Sequence, residues 1–203
     1  DLSADAANPD TYAQITALVD IDEYINYMAV ELYIGNWDWP QNNVKGFRDV
    51  NNGKFHFVLF DLDSAFGTST MLTDVLNTTG GANVDDLFRY LMRYDPIRRQ
   101  FMDAYCIVDG SVFEPTRCEQ IVRDIYQNIN PALNFEGSSA SRSLINTVRS
   151  AHNGTSITYL KNYFGTDYAE RRTAGPADHR DPPALKRAEL HRLADAELRN
   201  QGI

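Results

Sequence analysis

Asn36-Trp37-Asp38-Trp39-Pro40-Gln41-Asn42-Asn43 and Phe60-Asp61-Leu62-Asp63-Ser64-Ala65-Phe66-Gly67 are the two stretches on which the reading of this 203-residue chain turns. Between them, Val44 to Arg48 and Lys54 to Phe60 read as two strands around Asn51-Asn52-Gly53. An Asn-Gly pair between apolar runs is a strong hairpin signal, because both turn positions need a left-handed backbone. A hairpin returns its second end to its first, so Asn43 and Asp61 are predicted to be neighbours in space. Ahead of the loop, Ile21, Tyr24, Ile25, Met28, Leu32 and Tyr33 recur at helical spacing, which predicts a helix over Asp20 to Asn36. Asp20 or Asp22 caps its start and Gly35-Asn36 stops it.

The segment thus gathers Asp38, Asn43, Asp61 and Asp63 at the ends of one hairpin. Carboxylates that converge without a Lys or Arg in the motif repel one another and call for a cation. An all-oxygen ligand set suits a hard ion, Mg²⁺ or Mn²⁺. Magnesium on a few carboxylates, with the substrate completing its shell, is the pattern of phosphate-handling sites. Asp38 to Asn43 also keeps the Asp-x-x-x-x-Asn spacing of a protein-kinase catalytic loop, and a hairpin and a metal-binding Asp follow in the same order.

The two quoted runs resemble the signature segments of the CotH (spore coat protein H-like) family of atypical protein kinases. The hairpin with Gly53-Lys54-Phe55 fits, and Phe88-Arg89-Tyr90-Leu91 and Ile97-Arg98-Arg99-Gln100-Phe101 are similar to its carboxy-terminal portion. The resemblance spans Asp20 to Phe164. It implies an α+β, mainly helical fold: a kinase-like carboxy-terminal lobe with a small antiparallel hairpin carrying metal-binding carboxylates. It implies ATP- and Mg²⁺-dependent phosphoryl transfer to Ser or Thr of secreted or surface proteins. Carried over residue by residue, Asp38 is the catalytic aspartate. Asp61 is the principal metal ligand, Asn43 assists with metal and phosphate, and Asp63 is a second ligand or a support. Asn42 and Trp37 fall on the nucleotide side. An export or envelope location follows from the resemblance alone.

Rival readings stay open at this level. A kinase needs an amino-terminal lobe with a phosphate-covering loop and a Lys–Glu pair. The short stretch before Asp38 holds no Gly-rich loop, so the chain reads as a fragment, part of a longer chain or a degenerate relative. A catalytically inactive surface or coat interaction module with the same fold is the alternative. Metal-dependent glycosyltransferases also carry Asp-x-Asp at a strand end, but on a parallel sheet rather than a hairpin. Trp37 and Trp39 either stack on a ligand or pack the loop onto the core. Arg89, Arg93, Arg98 and Arg99 read as a solvated face, and His56 as structural.

Outward from the motif, helical stripes are predicted at Val84–Tyr94, Pro96–Val108, Pro115–Asn128, Ser139–His152 and Ser156–Phe164, with Asp1 to Tyr12 as a loop. Composition then shifts. Residues Arg171 to Ile203 carry seven Lys and Arg against five Asp and Glu, so that stretch is +2 of an overall −9 and −11 lies ahead of it. The boundary is set at 1–168 for the lobe and 169–203 for a linker and a tail helix, Ala184 to Asn200. At 43% hydrophobic residues the chain can bury a core. Its acidity argues against a nucleic-acid partner. No apolar run is long enough to span a membrane, and the first residues do not form a signal peptide. With only Cys106 and Cys118 and no CxxC, a zinc site has nothing to build it; the two thiols either pair or stay free.

Overall fold

The structure is a computed structural model, and it describes residues 7–48, 50, 53–66, 71–77, 84–137 and 155–164. Helix α2 (Ile21–Ile34) is its axis. Asp20 caps it by accepting from the Glu23 amide at 3.1 Å. Gly35 ends it in the left-handed conformation, φ 57°, with its N–H on the Glu31 carbonyl at 3.0 Å. The predicted apolar stripe is buried: Tyr24, Ile25, Met28 and Ala29 are fully enclosed, with Leu32 and Tyr33 nearly so. Against α2 pack α3 (Met71–Asn77), α4 (Val84–Leu91) and α5 (Asp95–Ile107). Phe88 of α4 and Phe101 of α5 meet edge to face, ring centroids 4.8 Å apart.

The two strands of the hairpin form as predicted, in shorter pieces; Asn51 and Asn52 of the predicted turn lie outside the described residues. Strand β1 (Lys45–Arg48) runs antiparallel to β2 (Phe55–Val58), with Lys45 opposite Val58 and Arg48 opposite Phe55. Asn43 and Phe60 therefore lie just beyond the open end of the ladder. A Cβ on Gly46 would stand 2.9 Å from the His56 carbonyl, so glycine is what lets the strands close here. Phe57 turns inward onto Tyr24 and Tyr27, ring centroids at 5.3 and 5.5 Å, and fastens the hairpin to α2. The chain just ahead of α2 joins the other edge: Val19 bridges to Phe55, and the Asp20 amide donates to the Phe55 carbonyl.

Three expectations are corrected. Helix α1 (Pro9–Leu18) begins inside the stretch read as a loop; Asn8 accepts from the Asp10 and Thr11 amides and Pro9 opens the first turn. Helix α6 (Pro115–Phe135) outruns its predicted end at Asn128 and includes Pro131. A proline one turn from the end removes a single bond and leaves the rest of the helix intact. The Arg89 side chain is not a solvated cation: it is largely enclosed, ion-paired with Asp85 and Asp86. Arg98 and Arg99 both pair with Asp95, while Arg93 lies over the Tyr90 ring. Helix α7 (Thr155–Phe164) matches its prediction and buries Leu160. Cys106 and Cys118 are free thiols. Among the described residues, no helix is long and apolar enough to cross a membrane. The predicted helices at Ser139–His152 and Ala184–Asn200 lie outside the described residues, as does the whole of 169–203.

Candidate functional site

The loop after α2 is pinned by one of its two tryptophans. Trp39 is fully buried, and its indole N–H donates to the Tyr27 hydroxyl at 2.7 Å. Trp37 stands 61% exposed, so only one ring of the pair is spent on packing. Between them Asp38 is half-buried and doubly held. The Asn42 amide donates to its Oδ1 at 2.7 Å and the Asn43 amide to its Oδ2 at 3.1 Å. The structure thus brings together Asp38, Asn42 and Asn43.

The acidic loop hangs from the same helix end. Asp61 is exposed and left-handed, φ 54°, and the Asn36 side chain donates to its carbonyl at 3.4 Å. Leu62–Ser64 makes one tight turn, closed by the Ala65 amide on the Leu62 carbonyl at 3.0 Å. Phe66, also left-handed, donates its N–H to the Ile34 carbonyl at the end of α2, and its ring meets Phe113. Asn43 is the third non-glycine residue with positive φ, at 54°. Three such residues within this one segment are a local cost that the surrounding contacts must hold in place.

The donors here are carboxylate and amide oxygens, the type that a hard cation takes. Among the described residues no side chain bonds the Asp61 carboxylate, and Asp63 is exposed with only Ser64 on one oxygen at 3.3 Å. Asn43 gives its amide N–H to Asp38, which leaves its carbonyl oxygen as a neutral ligand. Asp38, Asp61 and Asp63 are not by themselves drawn to within 4.8 Å of one another, as a closed carboxylate cage would be. Among the described residues that proximity is met by Asp20, Glu23 and His56, where the Glu23 carboxylate bonds the imidazole Nδ1. His56, read from sequence as structural, thus has a partner across the α2–β2 contact.

Three residues at the site were not singled out by the sequence. Lys45 places its ammonium 3.2 Å from the centroid of the Phe60 ring, a cation–π contact one residue before Asp61. Asn36 is fully buried and ties the two loops together. Glu31 is fully buried on the core face of α2, with neither oxygen hydrogen-bonded. Burial lifts its pKa to about 7, against a smaller opposite effect of the Asn36 amide. The signal for Glu31 was present: it continues the spacing Tyr24, Met28, Glu31 along the apolar stripe, where a carboxylate is out of place.

These features define a mainly helical α+β domain with a small antiparallel two-stranded sheet, carrying its acidic and amide groups where hairpin and helix end meet. The chain belongs to the CotH kinase protein family, whose model matches residues 2–169. No curated protein and no solved structure matches it.

Proposed function

We propose that this chain carries the catalytic loop and metal-binding acids of a CotH-type kinase-like lobe. The reaction is transfer of the γ-phosphoryl group of ATP to a Ser or Thr hydroxyl of a secreted or surface protein. The observation that carries the reading is Asp38, oriented through both oxygens by Asn42 and Asn43 while no described side chain bonds the Asp61 carboxylate. Membership of the family supports the reaction class.

In this reading Asp38 accepts a hydrogen bond from the acceptor hydroxyl, aligns it, and takes its proton as the new P–O bond forms and ADP leaves. Two amide donors fix the plane of that carboxylate before substrate arrives, which is the positioning that such reactions depend on. Asp61, with Asn43 and Asp63, would hold Mg²⁺ or Mn²⁺; the bound ion supplies neutralisation of phosphate charge. Asn42 and the exposed ring of Trp37 are assigned to the nucleotide side. The field of a net −9 protein suits a basic acceptor protein.

The test is calorimetry of ATP binding to the full chain, with and without Mg²⁺, for the parent and Asp61→Ala. Binding that needs Mg²⁺ and disappears in Asp61→Ala supports the reading. Binding that is indifferent to both, or absent throughout, overturns it for this chain.

A further inference from the structure

Glu31 and Asn36 form a buried polar pair directly behind the acidic loop. Each is fully enclosed, and the apolar face of α2 surrounds Glu31. Neither Glu31 oxygen nor the Asn36 Oδ1 has a hydrogen-bond partner, so three acceptor atoms are buried without a donor. Leaving such atoms unpaired is costly, most of all on a charged carboxylate, and a proton on Glu31 reduces that cost. The Asn36 amide lies close enough to the Glu31 carboxyl to lower its pKa, as an N–H turned toward it does. The same amide donates its Nδ2 hydrogen to the Asp61 carbonyl at 3.4 Å, so one side chain links the buried acid to the acidic loop. Glu31 holds that proton near neutrality because burial raises its pKa to about 7.

We infer that Glu31 and Asn36 are positioning residues, which hold the main chain of Asp61 in its left-handed turn and so aim its carboxylate. The left-handed region is unfavourable for an aspartate unless neighbours impose it. At Asp61 the imposing contacts are few: the Asn36 amide on its own carbonyl, and five residues on, the Phe66 amide on Ile34. Glu31 acts one step further back, through Asn36. This goes beyond the proposed function in assigning a role to a buried acid that touches neither nucleotide nor acceptor, and it rests on that reading for its consequence at the metal.

The experiment compares Glu31→Gln, Glu31→Leu and Asn36→Ala in the full chain. Glutamine keeps a polar oxygen facing the Asn36 amide; leucine fills similar space without one. The first readout is hydrogen exchange at the Ala65 and Phe66 amides without nucleotide, which does not depend on the kinase reading. We expect exchange to rise roughly tenfold in Glu31→Leu and Asn36→Ala, and to stay at the parent rate in Glu31→Gln. The second readout is the Mg²⁺ concentration at half-maximal ATP binding, raised roughly tenfold in the same two variants, as for losses behind a metal ligand. A cooperative melt shows that each variant is folded, and Asn36→Ala decides alone if a Glu31 variant is not. Equal behaviour of Glu31→Gln and Glu31→Leu, or unchanged exchange in Asn36→Ala, overturns the inference. Absence of ATP binding in the parent overturns the proposed function instead, and the exchange readout still decides this one.

Discussion

Asn43 donates to Asp38 Oδ2 at 3.1 Å across the ends of the loop that leads from α2 into the hairpin. With Asn42 on the other oxygen at 2.7 Å, the carboxylate has little rotational freedom left. The two amides differ in what else they do. Asn42 lies exposed in the loop, whereas Asn43 leads into the hairpin and, in the proposed reading, keeps its oxygen for a cation.

Replacing these amides therefore has unequal effects. Asn43→Ala is expected to lower the rate of phosphate incorporation into an acceptor protein by roughly 10²-fold, the scale of a misplaced catalytic group. Asn42→Ala leaves the second donor in place and lowers it by roughly tenfold. Steady-state rates at saturating ATP and Mg²⁺ check the order, and a larger loss in Asn42→Ala would sink it.

The two tryptophans separate stability from binding. Trp39→Ala removes a fully buried ring and its bond to Tyr27, and is expected to cost about 3–5 kcal/mol in urea unfolding. Trp37→Ala, at an exposed ring, is expected to stay within about 0.5 kcal/mol of the parent while weakening ATP binding. Unchanged ATP affinity would remove Trp37 from the nucleotide side.

Gly46→Ala places a methyl 2.9 Å from backbone, at the His56 carbonyl. Backbone in a paired strand cannot retreat as a flexible side chain does, so a loss of about 1–3 kcal/mol is expected. The hairpin carries Asn43 and the approach to Asp61, so ATP binding should weaken with it. A melting temperature equal to the parent's would show that the strands part at no cost.

Glu31 makes stability depend on pH. Its folded pKa is about 7 against an ordinary 4.5, with desolvation as the cause, so the native state keeps a proton that the unfolded chain releases. Between those values the native state binds more protons, and its stability falls as pH rises from about 4.5 through 7. Below 4.5 both states are protonated and the penalty vanishes. Above 7 it is fully present, on the order of 3 kcal/mol. Its neighbour Tyr27 stays neutral throughout, its own pKa pushed up first by burial and then by Glu31. Glu31→Gln is expected to be more stable than the parent at pH 8, with the advantage shrinking toward pH 5. Urea midpoints from pH 5 to 8 measure this, and a constant difference would contradict it.

Much of the site region was legible because its signals are local. The Asn-Gly turn, the stripe from Ile21 to Tyr33, and the Asp38-to-Asn43 spacing each lie within one element or one connection. The start of α1 is legible too, since Asn8-Pro9 is a capping signal, set in a stretch whose polar composition reads as loop. The far end of α6 was not, because Asn128, Asn130 and Pro131 all argue for a stop that the helix does not make.

The sequence by itself determined the element types and the order in which the polar groups occur, because period, turn chemistry and capping act within a few residues. Tertiary structure alone decided which groups have partners. That Trp39 is buried and Trp37 free depends on where Tyr27 projects from α2. That His56 meets Glu23 depends on the hairpin docking on that helix. The Asn36 bond to Asp61, 25 residues away, closes only once helix and hairpin have packed together. The same packing strips water from Glu31, and desolvation by distant residues is what separates a surface glutamate from a buried carboxyl that keeps its proton.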